Sequence, residues 1–138
     1  MLRFSSPNKS LLGSLAYVAN ANDEDLNNTT LYLNFDTIAS PNPGYFVYDG
    51  DGSSSNQTTP AGSDKIEHLF QDYYKSVGIT PAPTPFNGQS DYVGFGNVGV
   101  PIGGIFSGAD GKMTDQEAAL WGGMAQTPCM LPPPSSPN

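Results

Sequence analysis

Basic side chains are scarce in this chain: 5 Lys and Arg face 13 Asp and Glu, for a formal net charge of -8. Such a surface repels a phosphate backbone, and no Lys/Arg cluster outweighs that field, so nucleic acid is not an expected partner. Long apolar runs are missing as well. None approaches the roughly 20 residues that a membrane-spanning helix needs, and the opening MLRFSSPNKSLLGS carries no apolar core of the kind a signal peptide uses. No membrane span and no leader are therefore expected from these residues. Cysteine occurs once, at Cys129, which excludes a disulfide within the chain.

Asn, Thr, Ser, Gly and Pro are abundant instead. Four positions, Asn8, Asn27, Asn28 and Asn56, satisfy the N-glycosylation acceptor pattern, which leans toward a protein of the secretory pathway. A length of 138 residues suits one modest domain, with enough chain to bury about two thirds of its unfolded surface.

Apolar residues come in short runs of two periodicities. SLLGSLAYVAN at 10–20 places Leu11, Leu12, Leu15 and Val18 at helical spacing, and the polar NANDEDLNNTT after it reads as a solvated loop. Leu31 to Ala39 is a nearly continuous apolar run, the pattern of a central strand buried on both faces. Tyr45 to Tyr48 predicts a second strand, closed by Asp49-Gly-Asp-Gly52. Ser63 to Gly78 is the clearest helix, with Ile66, Leu69, Phe70, Tyr73, Tyr74 and Val77 on one stripe, Ser63 as its cap and Gly78 as a left-handed terminator.

Thr80 to Pro85 is too rich in proline for a helix and feeds Phe86 into an extended segment. Val98 to Phe106 predicts another buried strand; Pro101 argues for an edge or a strand end, and Gly103-Gly104 admits a second backbone closely. Thr114 and Glu117 form a capping box that opens a helix through Trp121. From Pro128 onward the chain is expected to pack nothing. Helices alternating with buried strands define an α/β fold, with a mixed, mainly parallel sheet flanked by helices.

Open sheets of this kind collect functional groups beyond the carboxyl ends of central strands, where Asp36 falls in LYLNFDTIASPN. On spacing alone, Asp36 reads as a turn former or helix cap sooner than as a ligand. His68 lies mid-helix beside Asp64 and Asp72 and reads as a structural or surface histidine. Asp49-Gly-Asp-Gly-Ser53 resembles the start of a calcium loop, but the position that should carry the closing Glu is Pro60, so a glycine turn is the better reading. Asp91 suits a cap for the SDYVGF turn.

Several stretches taken together say more. LLGS at 11–14, LYLNFDTIASPNPGYFVYDGDGS at 31–53, PAGSDKIEHLFQDYY at 60–74, NGQSDYVGF at 87–95 and VGVPIGGIFSGADG at 98–111 closely resemble, in this order, the carboxyl-terminal part of the peptidase domain of di-zinc aminopeptidases of the aminopeptidase Y type. The resemblance covers about residues 10–128. It implies 1–9 as a divergent amino-terminal segment, 10–128 as a partial zinc aminopeptidase domain and 129–138 as a Pro-rich disordered tail. It also implies a secreted or vacuolar enzyme that removes amino-terminal residues from peptides with a free amino terminus, using two zinc ions.

By the same resemblance Asp36 is a terminal zinc ligand, Phe106 lines the pocket for the substrate's first side chain, and Gln89 stands where the family has a substrate-binding Arg. The rest of the family's ligand set does not match. Its first His and bridging Asp have no counterpart in these residues, and Ser5-Ser-Pro-Asn-Lys9 stands where its Glu-Glu pair belongs. Met130-Leu131 follows Pro128-Cys129 where the family has Tyr-His. No catalytic residue is therefore assigned, and two zincs are not expected to be retained by one carboxylate. The expectation is a member or fragment of a zinc metallo-aminopeptidase family with an incomplete metal site. The alternative is a non-catalytic degenerate paralogue or binding module that keeps the scaffold.

Overall fold

A computed structural model describes residues 11–129. Nine elements follow one another: α1 Leu12–Asn20, α2 Asp23–Asn27, β1 Tyr32–Asp36, β2 Phe46–Tyr48, α3 Ser63–Ser76, β3 Ala82–Thr84, α4 Tyr92–Asn97, β4 Ile102–Phe106 and α5 Asp115–Trp121. The four strands form one sheet in the order β1-β4-β2-β3. β1 pairs with β4 and β2 with β3 in parallel, while β2 and β4 are antiparallel. The expected α/β class and mixed, mainly parallel sheet are both present.

Strand alternation decides which helix each residue meets. On β4, Ile102 lies under α4, where a Cβ on Gly96 would touch it, and Gly103 lies under Ile66 of α3. One face of the sheet therefore carries α3 and the other α4, with α1 packed behind α4. The larger core sits on the α4 face and joins Val18, Tyr48, Tyr92, Phe95, Val100 and Ile102. Tyr32 stacks on Phe95 there, at 4.2 Å between centroids and 12° between planes.

Gly104 sits in the middle of the sheet, opposite Asn34, at φ 140. A Cβ there would drive into the Asn34 carbonyl, so only glycine lets β1 and β4 close at that point. Pro101 stands at a strand end as expected, because β4 begins at Ile102, but β4 is interior to the sheet rather than an edge. Gly78 terminates α3 at φ 78, and Ile79 N donates back to the Tyr74 carbonyl. The capping box of α5 is formed on both sides, Thr114 Oγ1 accepting from Glu117 N and Glu117 Oε2 accepting from Thr114 N.

Five expectations are corrected. β1 is an edge strand of the described sheet, and its α3-side residues Leu33 and Phe35 are 37% and 48% exposed. Among the described residues no strand pairs along its outer edge, and on the α3 side the Phe70 ring meets Phe35 edge-on at 5.9 Å. Of the apolar stripe expected on α3, the row Ile66, Phe70, Tyr74 turns to the sheet, while Leu69, Tyr73 and the following Val77 are exposed. Ser63 does not cap α3: Gly62 holds that position, and the buried Ser63 Oγ instead accepts from Ile102 N of β4 at 3.0 Å.

The acidic loop holds the short helix α2, whose cap Asn22 accepts from Asp25 N; the signal was an Asn followed at once by Asp-Glu-Asp. Finally, the expectation that nothing packs from Pro128 onward fails at its first two residues. Pro128 bridges Lys112, and Cys129 is buried beside Gly108, donating its N–H to the Gly111 carbonyl and accepting from Asn42 N. Burial pushes its thiol up. The remainder of the 129–138 tail, with Met130 and Leu131, and the 1–9 segment lie outside the described residues.

Candidate functional site

The period of two along β1 puts Tyr32, Asn34 and Asp36 on the α4 face, in line with one another. Parallel register then sets Phe106 beside Asp36 across the sheet. Because the strand ends at Asp36, its carboxylate emerges at the sheet rim instead of inside the core.

The chain leaves that rim by a constrained turn. Thr37 adopts φ 53, an uncommon conformation for a β-branched residue, which costs on the order of 1–3 kcal/mol. Its carbonyl accepts from Ser107 Oγ, from Ser40 Oγ at 2.6 Å and from Ser40 N at 3.1 Å. Its own hydroxyl meets Ser107 Oγ at 2.9 Å. Three hydroxyls thus fix the backbone immediately after Asp36, and Ser107, buried at the end of β4, joins both strands.

The loop preceding α4 completes the rim. Ser90 Oγ donates to Asp36 Oδ2 at 2.9 Å, and the buried Asn34 amide donates to Ser90 Oγ at 3.0 Å and to the Tyr48 hydroxyl at 3.2 Å. Burial, with the nearby Asp36 charge adding to it, pushes the Tyr48 phenol upward, so it stays protonated. Tyr32 is pushed up to about 12 by burial, then by Asp91 and Asp36. The result is a cleft of about 140 Å³ whose lining includes Asp36, Tyr48, Gln89, Ser90, Phe106 and Asp110.

The three residues that the resemblance singled out therefore share one cleft. Asp36 and Phe106 are half-buried on its floor, and Gln89 is exposed on its lip beside Asn87, whose amide donates to Gln89 Oε1 at 3.3 Å. Asp91 takes the N-cap position of α4 without capping it; its carboxylate accepts from Ser14 Oγ at 2.7 Å and ties α1 to α4. His68 is exposed on α3, away from the cleft. Sequence reading missed Asn34, Tyr48, Ser90, Ser107 and Asp110. For Asn34 a signal existed: a polar residue two positions before Asp36 in an apolar strand must find a partner on the same face.

Metal-binding capacity was tested on the donor set. Among the described residues, Asp36 joins no group of three or more converging His, Cys, Asp or Glu ligands; the group that does converge is Asp49, Asp51 and Glu67. The residues described around Asp36 thus do not fit a pair of zinc ions, and no step is routed through them. A larger cavity, about 360 Å³, opens between the 57–60 loop and α4, but no acidic, histidine or cysteine side chain lines it.

The chain is 54% identical over 115 residues to a probable leucine aminopeptidase 2 of Aspergillus oryzae and 50% identical over 115 residues to leucine aminopeptidase 2 of Arthroderma otae; each alignment covers 83% of this chain and 23% of the relative. A probable lipoprotein aminopeptidase of Mycobacterium tuberculosis is 48% identical over 123 residues, covering 86% of this chain and 25% of that protein. The chain thus spans about a quarter of the length of these relatives. A model of peptidase family M28 matches residues 3–125, a span that includes the strand bearing Asp36, its partner β4 and the Ser90 loop, and the chain belongs to that family.

Proposed function

We propose that this chain supplies part of the catalytic domain of a zinc metallo-aminopeptidase, acting on peptides with a free amino terminus. The observation that carries the reading is the position of Asp36 at the end of β1, in one cleft with Phe106 and Gln89. In this reading Asp36 is a terminal metal ligand. Ser90 Oγ, donating to Oδ2, would orient that carboxylate. The ring of Phe106, tilted against Phe46 and stacked on Tyr48, offers an apolar wall to the substrate's first side chain. Gln89 offers hydrogen bonds without the charge of an Arg.

One carboxylate does not hold two zincs, so the chain alone is expected neither to retain zinc nor to hydrolyse a leucine chromogenic amide. A secretory or vacuolar setting follows the resemblance, and the exposed acceptors Asn27, Asn28 and Asn56 support it. The reading is tested in a chimera in which this chain's sequence replaces the aligned stretch of the Aspergillus oryzae relative. Zinc-dependent hydrolysis, abolished by Asp36→Ala, is the expected result. A folded chimera that binds zinc but shows no turnover would favour the second reading, a non-catalytic paralogue, for which the lack of three converging ligands around Asp36 among the described residues is the supporting observation.

A further inference from the structure

A second carboxylate group lies apart from the Asp36 cleft. β2 runs antiparallel to β4, so its last residue, Tyr48, points the following loop toward the start of β4 and the amino-terminal half of α3. There Asp49, Asp51 and Glu67 bring one carboxylate oxygen each within 4.8 Å of the others. Asp49 is 0% exposed and Glu67 2%, while Asp51 is exposed and leaves the group open to solvent on one side. None of the three lines the Asp36 cleft.

Hydrogen bonds hold this group in place without completing it. Asp49 Oδ2 accepts from Ser54 N at 3.2 Å, Ser55 N at 2.9 Å and Ser55 Oγ at 2.6 Å. Glu67 Oε2 accepts from Gly50 N at 2.8 Å and Asp51 N at 3.0 Å, and its Oε1 accepts from the Gln71 amide at 2.7 Å. Asp51 Oδ1 accepts from Ser53 N at 2.8 Å. Asp49 Oδ1 is different: it is buried with no hydrogen-bond partner.

A buried carboxylate oxygen with no donor, in a side chain otherwise locked by three donors, calls for a cation or an ordered water as its partner. Protein groups do not provide one. Among the described residues the ion pair present is Lys75 with Asp72, on the exposed face of α3. Instead two further carboxylates converge, and mutual repulsion of that kind is relieved by a cation.

We propose that Asp49, Asp51 and Glu67 bind a hard divalent cation of the calcium class, with Asp49 Oδ1 as its buried ligand, clamping the loop after β2 to α3. All-oxygen ligation and a side open to solvent at Asp51 suit calcium better than zinc. The Asp49-Gly-Asp-Gly-Ser53 stretch is thus half of a calcium site after all. Its closing carboxylate comes from the second turn of α3 rather than from Pro60, where a linear loop would need it.

Thermal melting and calorimetric titration of the full chain with CaCl₂, after chelator treatment, test this directly. Calcium is expected to raise Tm in a concentration-dependent way. Asp51→Asn, at an exposed position where the fold is readily checked by circular dichroism, and Glu67→Gln should each weaken calcium binding at least tenfold. Asp36→Ala should leave the calcium response unchanged, which separates this site from the peptidase reading. The proposal is overturned if calcium up to 10-millimolar order produces neither heat nor a Tm shift, or if folded Asp51→Asn responds like the parent. It is equally overturned if Asp36→Ala abolishes the response.

Discussion

Ser90 Oγ donates a 2.9 Å hydrogen bond to Asp36 Oδ2, joining the end of β1 to the loop before α4 across 54 residues of sequence. Ser90 is in turn held by the Asn34 amide from the same strand face. The carboxylate that the strand presents is therefore oriented by a group from elsewhere in the chain, and the orienting group is itself fixed.

In the chimeric aminopeptidase, Ser90→Ala is expected to lower hydrolysis about tenfold, the scale of one hydrogen bond to a charged group. Ser90→Thr, which keeps the hydroxyl, should restore most of it. Steady-state kinetics with a leucine chromogenic amide read both; equal activity of the Ala and Ser forms would remove Ser90 from the positioning of Asp36.

Gly104→Ala tests the closure of β1 on β4. The new Cβ would meet the Asn34 carbonyl at a φ that L side chains avoid, so the strands must separate where Asn34 also anchors the cleft. A loss on the order of 3 kcal/mol or more is expected, read as a large fall in denaturant midpoint or as failure to fold. A midpoint within error of the parent would show that the sheet relaxes freely there.

Thr114→Ala removes the side-chain half of a capping box on exposed α5, with both Thr114 Oγ1 and Glu117 Oε2 in place in the parent. About 1 kcal/mol of stability should be lost, and Thr114→Ser should recover it. Chemical denaturation of the three proteins side by side decides.

The acid limb of the stability curve reports on Glu67 and Asp49 with opposite signs. Burial pushes the Glu67 carboxyl up, and Asp51 and Asp49 add to that, against the backbone donors of Asp51 and Gly50. A raised folded value favours the protonated form, so this contribution is present below the ordinary range near 4.5 and is lost as pH rises through the folded value. Burial also acts to raise Asp49, but the hydrogen bonds from Ser55 and Ser54 outweigh it and leave the carboxyl low. Its contribution is present above the ordinary range and lost as pH falls through the folded value. In chelator, Glu67→Gln should therefore flatten the decline on the rising-pH side and leave the acid-side loss intact, as read by melting across pH.

Expression in a secretory host checks the glycan acceptors. Asn27, Asn28 and Asn56 are exposed, and Asn56 sits in a loop at φ 55 that presents its side chain. A mass decrease on enzymatic deglycosylation, reduced by Asn56→Gln, is expected; an unchanged mass would argue against a secretory route.

Local pattern in the sequence determined a good deal here. Hydrophobic periodicity located the helices near 12–20 and 63–76 and the strands around 32–36, 46–48 and 102–106, because helical and extended chains bury every third-or-fourth or every second residue. Gly78, the Thr114 capping box and the strand-end Asp36 were legible for the same reason: each depends on a few adjacent residues. Tertiary structure decided what periodicity does not encode. It put β1 at the rim of the described sheet with Phe35 exposed, drew Ser63 away from its cap to Ile102, and folded Cys129 back onto Gly108. It also brought Asn34, Tyr48 and Ser90 to Asp36, and Glu67 to Asp49. These are contacts between residues far apart along the chain, chosen by which donors and carboxylates need partners once the strands pair, and no local run of residues specifies them.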